Sequence, residues 1–241
     1  MATTGLQGPD YAEIVGKLEG FLQDFEGDDG EHKYMQILQE VANRKAKLVE
    51  VELDDITDAL GQELAENIKN NTHRYKQLLE SAVDHVLPQP SGDVGEGDIA
   101  DILMSSRSNQ ANDDGVSDPA QKVPEALRRR FQVVVIPESK DKHVKLREIK
   151  ASSIGHLVTV KGIVTRVSEV KAQIAVATYT CETGGWETYQ EVNERSFMPL
   201  FTCPAANCCS NGRLHLQTRG CKFQRFQEVK IQEEADQVRG K

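Results

Sequence analysis

The chain has 241 residues and a hydrophobic share of 38%, enough for two folded units with cores of their own. Its net charge of −9 argues at first sight against a nucleic-acid partner, but the charge is uneven: residues 1–120 carry 25 acidic and 9 basic side chains, and residues 121–241 carry 13 and 20. No segment approaches the ~18 apolar residues of a membrane span or has the pattern of a secretory presequence, so we expect a soluble, intracellular protein with no membrane partner.

Apolar residues at helical spacing predict four amphipathic helices in residues 1–90. In chain order they cover Ile14 to Phe25, Tyr34 to Val41, Ile56 to Ile68, and Thr72 to Leu87. The segment LVEVEL, between the second and third helices, predicts a short extended piece. We therefore expect residues 1–90 to form a compact helical bundle whose acidic surface faces solvent or protein.

Residues 91–123 are rich in Ser, Gly, Asp and Asn, which predicts a flexible linker. Pro124 then begins a short helix that ends at Arg128, Arg129 and Arg130, and the sequence FQVVVI after it predicts a strand. Because adjacent helical positions point in different directions, a cationic helix end is a simpler interpretation of these arginines than one shared phosphate site.

The segment LVTVKGIVTRV, Leu157 to Val167, is dense in β-branched residues, and its apolar parity changes at Gly162. An inserted bulge residue has that effect, and small closed barrels need such bends. We therefore predict an OB-type barrel whose first part covers residues 124–178 and whose returning strands lie in 213–241. Such barrels bind oligonucleotides, although an ordinary barrel strand without that role would carry the same pattern.

Between these two parts, residues 179–212 contain four cysteines in an insert that we interpret as ribbon-like. Zinc takes about four ligands, and we predict Cys181, Cys203 and Cys208 among them. Gly184 occupies the position where the first knuckle would supply its second ligand, so the fourth would come from Cys209, His215 or water. A ribbon that folds without metal and a redox-active pair at Cys208 and Cys209 remain open alternatives.

The predicted fold class is therefore α+β and multidomain. It consists of an N-terminal helical bundle followed by an OB-type β-barrel with an inserted zinc-ribbon-like subdomain.

Three segments carry a resemblance to a known family: IGHLVTVKGIVTRVSEVKAQIAVATYTC, YQEVNERSFMPL and RLHLQTRGCKFQRFQEVKIQE. In this order they resemble the N-terminal region of minichromosome maintenance (MCM) replicative helicase subunits, and among the family's paralogues they are most similar to the seventh. The resemblance implies a hexameric collar that encircles DNA, with other MCM subunits and single- and double-stranded DNA as partners. It also implies a role in DNA replication and nuclear localisation, with a cytoplasmic stage before import.

Basic residues of the barrel are the candidates for contact with DNA phosphates, and we expect them to line the concave wall of the sheet. They are Lys161, Arg166, Lys171, Arg219, Lys222 and Arg225. The alternative is a protein-interaction module within the ring that encloses DNA without binding it.

The sequence contains no phosphate-binding GxxxxGK[ST] segment, so we expect no ATP hydrolysis by the family mechanism in this chain. ATP and magnesium are expected only in a motor module further along the family's chain, beyond residue 241.

Overall fold

The computed structural model describes residues 10–27, 30–91, 123–194, 196–204 and 213–234. These residues fall into two compact units. The helical unit takes in the described residues of Met1–Val94, Arg130–Ile163 and Ile231–Lys241. The sheet unit takes in those of Gly95–Arg129 and Val164–Lys230. The predicted linker, 91–123, lies almost wholly outside the described residues, as do Cys208 and Cys209.

The helices of the helical unit are α1 Tyr11–Asp24, α2 Lys33–Ala42, α3 Leu53–Leu60, α4 Gln62–Asn70 and α5 Thr72–Val86. The first, second and fourth predicted helices are confirmed. The third was predicted as one helix, which is wrong: the chain breaks at Gly61, where φ is 95°. That left-handed backbone favours glycine and ends α3. Among the described helices, none combines the length and apolar character that a bilayer crossing requires.

A parallel two-stranded ladder forms part of the core of the helical unit. Strand β1, Leu48–Glu52, pairs with strand β2, Gln132–Ile136. Val49, Val51 and Val133 are completely buried among the helices. Both extended segments are confirmed as strands. However, β2 was predicted within the barrel. It instead completes the helical core, because Val133 and Val135, on one face of the strand, pack against apolar residues of the helices.

Tyr34 connects α2 to the start of α3 through a buried phenol. Its hydroxyl donates to Asp55 Oδ2 at 2.6 Å and accepts from the backbone N of Glu52 at 3.3 Å. The ammonium of Lys33 lies 2.8 Å from the same carboxylate oxygen. Burial raises the pKa of Tyr34 well above its ordinary value, and the Asp55 carboxylate raises it further. Both effects favour the protonated phenol, which is the form that donates to Asp55.

The loop that follows β2 is attached to the helices by several polar contacts, which include a hydrogen bond from Thr57 Oγ1 to Glu138 Oε1 at 3.0 Å. Ser139 donates from its backbone N and its Oγ to Asp54 Oδ2, at 3.0 and 2.6 Å. Lys69 Nζ lies 2.8 Å from Asp141 Oδ2 and 3.3 Å from Glu138 Oε2. These contacts hold the loop to α3 and α4.

The predicted first barrel strand, Leu157 to Val167, is only half correct, because the strand covers Ile163–Val167. The residues before this strand form backbone hydrogen bonds with partners outside the β3–β8 ladder. Leu157 N donates to Lys69 O at 2.8 Å, and Thr159 O accepts from Val144 N at 2.8 Å. Both bonds lie within the helical unit, so this segment cannot continue the ladder.

The strands that follow are β3 Ile163–Val167, β4 Lys171–Cys181, β5 Glu187–Glu191, β6 Leu214–Leu216, β7 Lys222–Phe226 and β8 Val229–Gln232. Strand β4 is central: β5 pairs along one edge, while β6 and β7 share the other. A bulge interrupts the β4–β7 ladder between Ile174 and Val176. Strand β3 pairs separately with β8. These described strands do not show a closed barrel, which therefore stays a prediction.

Small apolar clusters, rather than one large core, hold the sheet unit together. Val176 packs with Val123 and Leu127, and Leu127 belongs to helix α6, Glu125–Arg128. This helix starts after Pro124, as predicted. Further along β4, Ala177, Tyr179 and Val192 form a second cluster, and Cys181 with Cys203 a third.

Candidate nucleic-acid interface and cysteine knuckle

Lys161 is the predicted DNA contact that lies in the helical unit, and it already forms an ion pair. Its Nζ is 3.4 Å from Glu234 Oε2, and the two side chains are 58% and 32% exposed. Ion pairs at this exposure contribute little free energy, so the pair can open when a phosphate approaches. The acidic partner nevertheless reduces the positive potential at this position.

Lys171 and Arg225 lie on neighbouring strands but on opposite faces. The register pairs Lys171 with Phe226 and Ala172 with Arg225. Paired residues share a face and successive residues alternate between faces. Contrary to expectation, the predicted cations therefore do not all line one wall of the sheet.

Lys222 has an intramolecular role that the sequence analysis missed. Its Nζ donates to the backbone oxygens of Ala126 at 2.7 Å and Arg129 at 2.6 Å. Both carbonyls lie at the C-terminal end of α6, where helix carbonyls lack partners of their own and a cation is favourable. The part-buried ammonium therefore stabilises the attachment of α6 to β7.

Arg166, on β3, and Arg219, in the turn Thr218–Gly220, are both exposed. Together with Lys171 and Arg225, they form no ion pair within the part of the chain that the structure describes. These four side chains are therefore available to a polyanion in solution.

An exposed aromatic ring beside one of these cations was not predicted. Phe223 lies two residues before Arg225 on β7, so both side chains are on the same face, and the ring is 43% exposed. The register partner of Arg225 is Ala172, whose side chain is only a methyl group. The alternation in KFQRF was visible in the sequence, but which of its two faces is exposed was not.

A second cationic surface, also missed, lies in the loop of the helical unit. Lys142, Lys145 and Lys150 are exposed there. Between them, Arg147 donates from Nη2 to Glu233 Oε2 at 2.6 Å, and this hydrogen bond lowers the pKa of Glu233 below its ordinary value. The recurrence of basic residues in KDKHVKLREIK was a sequence signal for this surface.

The first cysteine knuckle is a tight turn between β4 and β5. The backbone N of Cys181 donates to Trp186 O at 2.8 Å, and Gly185 N donates to Cys181 O at 2.9 Å. Gly185 has a φ of 68°, which favours glycine. Cys181 and Cys203 are 1% and 8% exposed, and Trp186 and Leu214 pack against them.

The described residues supply fewer ligands than zinc takes. Two predicted ligands, Cys181 and Cys203, come together, whereas Cys208 and Cys209 lie outside the described residues. His215 is unsuitable, because Cys181 pairs with Leu214 and His215 therefore lies on the opposite face, 3.4 Å from Glu182. No cluster of three potential ligands occurs among the residues with described positions. Zinc therefore stays a prediction.

Comparison with protein families gives two matches in chain order. A model described as the MCM N-terminal domain matches residues 16–137, and one described as the MCM OB domain matches residues 145–240. The first covers most of the described helical unit, and the second begins in the loop after β2 and includes all strands from β3 to β8.

Individual relatives agree with these matches. DNA replication licensing factor MCM7 from Arabidopsis thaliana is 45% identical over 235 residues, which are 95% of this chain and 33% of the relative. DNA replication licensing factor mcm7-B from Xenopus laevis is 42% identical over 243 residues, which are again 95% of this chain and 33% of the relative. The mcm7 protein of Schizosaccharomyces pombe is 33% identical over 266 residues, which are 99% of this chain and 35% of the relative.

The chain thus spans about a third of the length of the curated relatives it matches. The resemblance noted in the sequence is confirmed, including a likeness to the seventh of the family's paralogues. Because the N-terminal match covers half of the chain and the OB match follows it in the expected order, the chain belongs to the minichromosome maintenance family.

Proposed function

We propose that this chain is the DNA-binding and ring-forming collar of an MCM replicative helicase subunit, acting in the nucleus during replication initiation and fork unwinding. Its partners are then other MCM subunits in a hetero-hexamer, together with single- and double-stranded DNA. The relatives' description as DNA replication licensing factors supports a role in replication. ATP and magnesium belong, in this proposal, to a motor module that the family places further along the chain.

The single observation that carries DNA binding is the exposed face of β7. Phe223 and Arg225 lie on the same side of this strand. Proteins that bind single-stranded nucleic acid without sequence preference combine aromatic rings, on which bases stack, with cations that contact the backbone. The two side chains, two residues apart, supply one group of each kind.

Measured affinity for a labelled oligothymidine at several salt concentrations tests this proposal. Phe223→Ala should cost about 1–3 kcal/mol of binding free energy, which is the usual contribution of one stacked base. Arg225→Gln should reduce the slope of log K against log salt by about 0.7, the value expected for one phosphate of a single strand.

Matched controls are available on other exposed surfaces. Phe201 is 69% exposed, and Arg74 lies on α5 with its guanidinium 4.8 Å from the ring centre of Tyr11. Phe201→Ala and Arg74→Gln should leave affinity and salt slope unchanged. Affinity that does not depend on salt in the unsubstituted chain would refute phosphate binding altogether.

A second candidate function, docking of protein partners, is favoured by the segment before Cys203. Phe197 and Leu200 pack onto the cluster around Tyr179. Met198 and Phe201, which directly follow these two residues in the sequence, are 81% and 69% exposed. Exposed Met and Phe side chains are typical of protein contacts, since such residues are enriched in interfaces.

Assembly of purified MCM subunits, followed by light scattering, distinguishes the two functions. The double variant Met198→Ser/Phe201→Ser should prevent ring formation if the segment contacts a neighbour, and should leave oligothymidine affinity unchanged. Arg225→Gln should leave ring formation unchanged and should weaken oligothymidine binding. Normal assembly of the double variant would rule out docking through this segment.

A further inference from the structure

Gly184, where a metal ligand was expected, is covered by the ring of Trp186. A Cβ built on Gly184 would lie 2.6 Å from Nε1 of Trp186 and closer still to Cδ1 of the same ring. Carbon atoms in proteins do not approach one another so closely. No side chain fits at position 184 unless the indole moves.

The indole is held in this position by the rest of the knuckle. Trp186 packs against the cluster that Cys181 and Cys203 form, as Leu214 does. Its own carbonyl accepts the hydrogen bond from Cys181 N that closes the turn. Moving the ring away from Gly184 would therefore open an apolar cluster in which both cysteines are at least nine-tenths buried.

We propose that the indole of Trp186 closes this knuckle in place of a fourth metal ligand, so that the turn between β4 and β5 keeps its fold without zinc. This inference is independent of the proposed DNA-binding function.

The physical reason is that the apolar cluster of Trp186, Cys181 and Cys203 can stabilise the turn, as a bound metal does in structural zinc sites. In those sites the metal supplies the free energy that holds two knuckles together, and its removal unfolds them. Here the bulky indole buries apolar surface against the cluster that Cys181, at the end of β4, forms with Cys203. Zinc bound by the remaining cysteines would then be a weakly held addition, and its loss would leave the knuckle closed.

The test uses the single tryptophan of the chain as an internal reporter. The full chain is treated with a strong zinc chelator, its metal content is measured by mass spectrometry, and the emission of Trp186 is recorded before and after. We expect the emission maximum to remain that of a partly buried indole at every metal content. A shift to the emission of the urea-unfolded chain, reversed by added zinc, would overturn the proposal.

Substitutions test the role of the ring directly. Gly184→Cys restores a thiol but leaves the indole in its way, so zinc affinity should not exceed that of Thr183→Cys, a control that adds a thiol at the neighbouring exposed position. The double variant Gly184→Cys/Trp186→Ala should bind zinc at least about tenfold more tightly than Gly184→Cys alone. Competition with a chromophoric chelator measures both.

Two outcomes of the substitutions would contradict the inference. If Gly184→Cys alone gains as much zinc affinity as the double variant, the ring does not exclude a fourth ligand. If Trp186→Ala leaves amide-hydrogen protection of β4 and β5 unchanged in the metal-free chain, the ring does not close the knuckle. Should the double variant fail to fold, the chelation experiment and the single variants still decide.

Discussion

Lys222 provides the sharpest prediction, because the sequence predicted that it contacts DNA phosphates, whereas in the structure it stabilises the fold. Lys222→Met keeps the length and apolar stem of the side chain and removes only the ammonium. Two hydrogen bonds disappear, to Ala126 O at 2.7 Å and Arg129 O at 2.6 Å. Hydrogen bonds to charged groups contribute about 1.5–3 kcal/mol each, and the desolvation of a part-buried ammonium offsets part of this. We expect the sheet unit to lose about 2–4 kcal/mol of unfolding free energy.

Urea unfolding and hydrogen exchange measure this loss. Backbone amides of α6 and β7 should exchange faster in Lys222→Met, and the salt dependence of oligothymidine binding should keep its slope. Arg225→Met, on the opposite face of the same strand, is the control. Its unfolding free energy should stay within about 0.5 kcal/mol of the unsubstituted chain, as is usual for surface positions.

The opposite pattern would refute the assignment. If Lys222→Met leaves exchange and unfolding unchanged and lowers the salt slope by about 0.7, Lys222 contacts a phosphate. The hydrogen bonds to α6 would then contribute no net stability.

Three further changes have defined outcomes. Tyr34→Phe removes the donor to Asp55 and should lower the unfolding free energy of the helical unit by about 1–3 kcal/mol, measured in urea. Ser139→Ala should raise the pKa of Asp54 part of the way to its ordinary value, followed by NMR, because it removes the hydroxyl hydrogen bond that lowers this pKa most and keeps the backbone one. A lowered pKa contributes stability that is complete above the ordinary value and is lost as pH falls through the lowered value, so this variant should have less of this stability and should lose the remainder at a higher pH. Gly162→Val should destabilise the helical unit by about 1–3 kcal/mol, because a Cβ there would lie 2.7 Å from a carbonyl oxygen of β8.

The helices could be predicted because their information is local. The apolar spacing in α1, α2 and α5 repeats over several turns, and burial in the structure follows it. The break at Gly61 was missed because apolar spacing continues across it, whereas the positive φ is a property of one residue. The strand Leu157 to Val167 failed at its start for a non-local reason, since Leu157 gives its backbone N–H to Lys69.

The candidate site was predictable in composition and unpredictable in arrangement. Basic residues of the C-terminal half were visible in the sequence, but the register of β4 and β7 decides that Lys171 and Arg225 face opposite ways. That register pairs Ala172 with Arg225, and the sequence of neither strand indicates this pairing. Gly184 was recognised as the missing ligand from spacing alone. The indole that covers it was not recognised, because nothing local indicates that the ring of Trp186 turns back over the turn.

The two cationic surfaces should differ in the form of DNA they bind. The loop surface, formed by Lys142, Lys145 and Lys150, has charge but no Phe, Tyr or Trp, so it can contact the phosphates of a duplex and of a single strand alike. The face of Phe223 and Arg225 offers stacking, which needs unpaired bases.

Phe223→Ala should therefore weaken binding to single strands and leave duplex affinity nearly unchanged. Lys142→Gln/Lys145→Gln should weaken both and reduce both salt slopes, measured with matched single- and double-stranded oligonucleotides. Equal losses for both DNA forms in Phe223→Ala would show that the ring supports the fold of β7 rather than stacking on bases. Single-strand binding in this chain would then rest on charge alone.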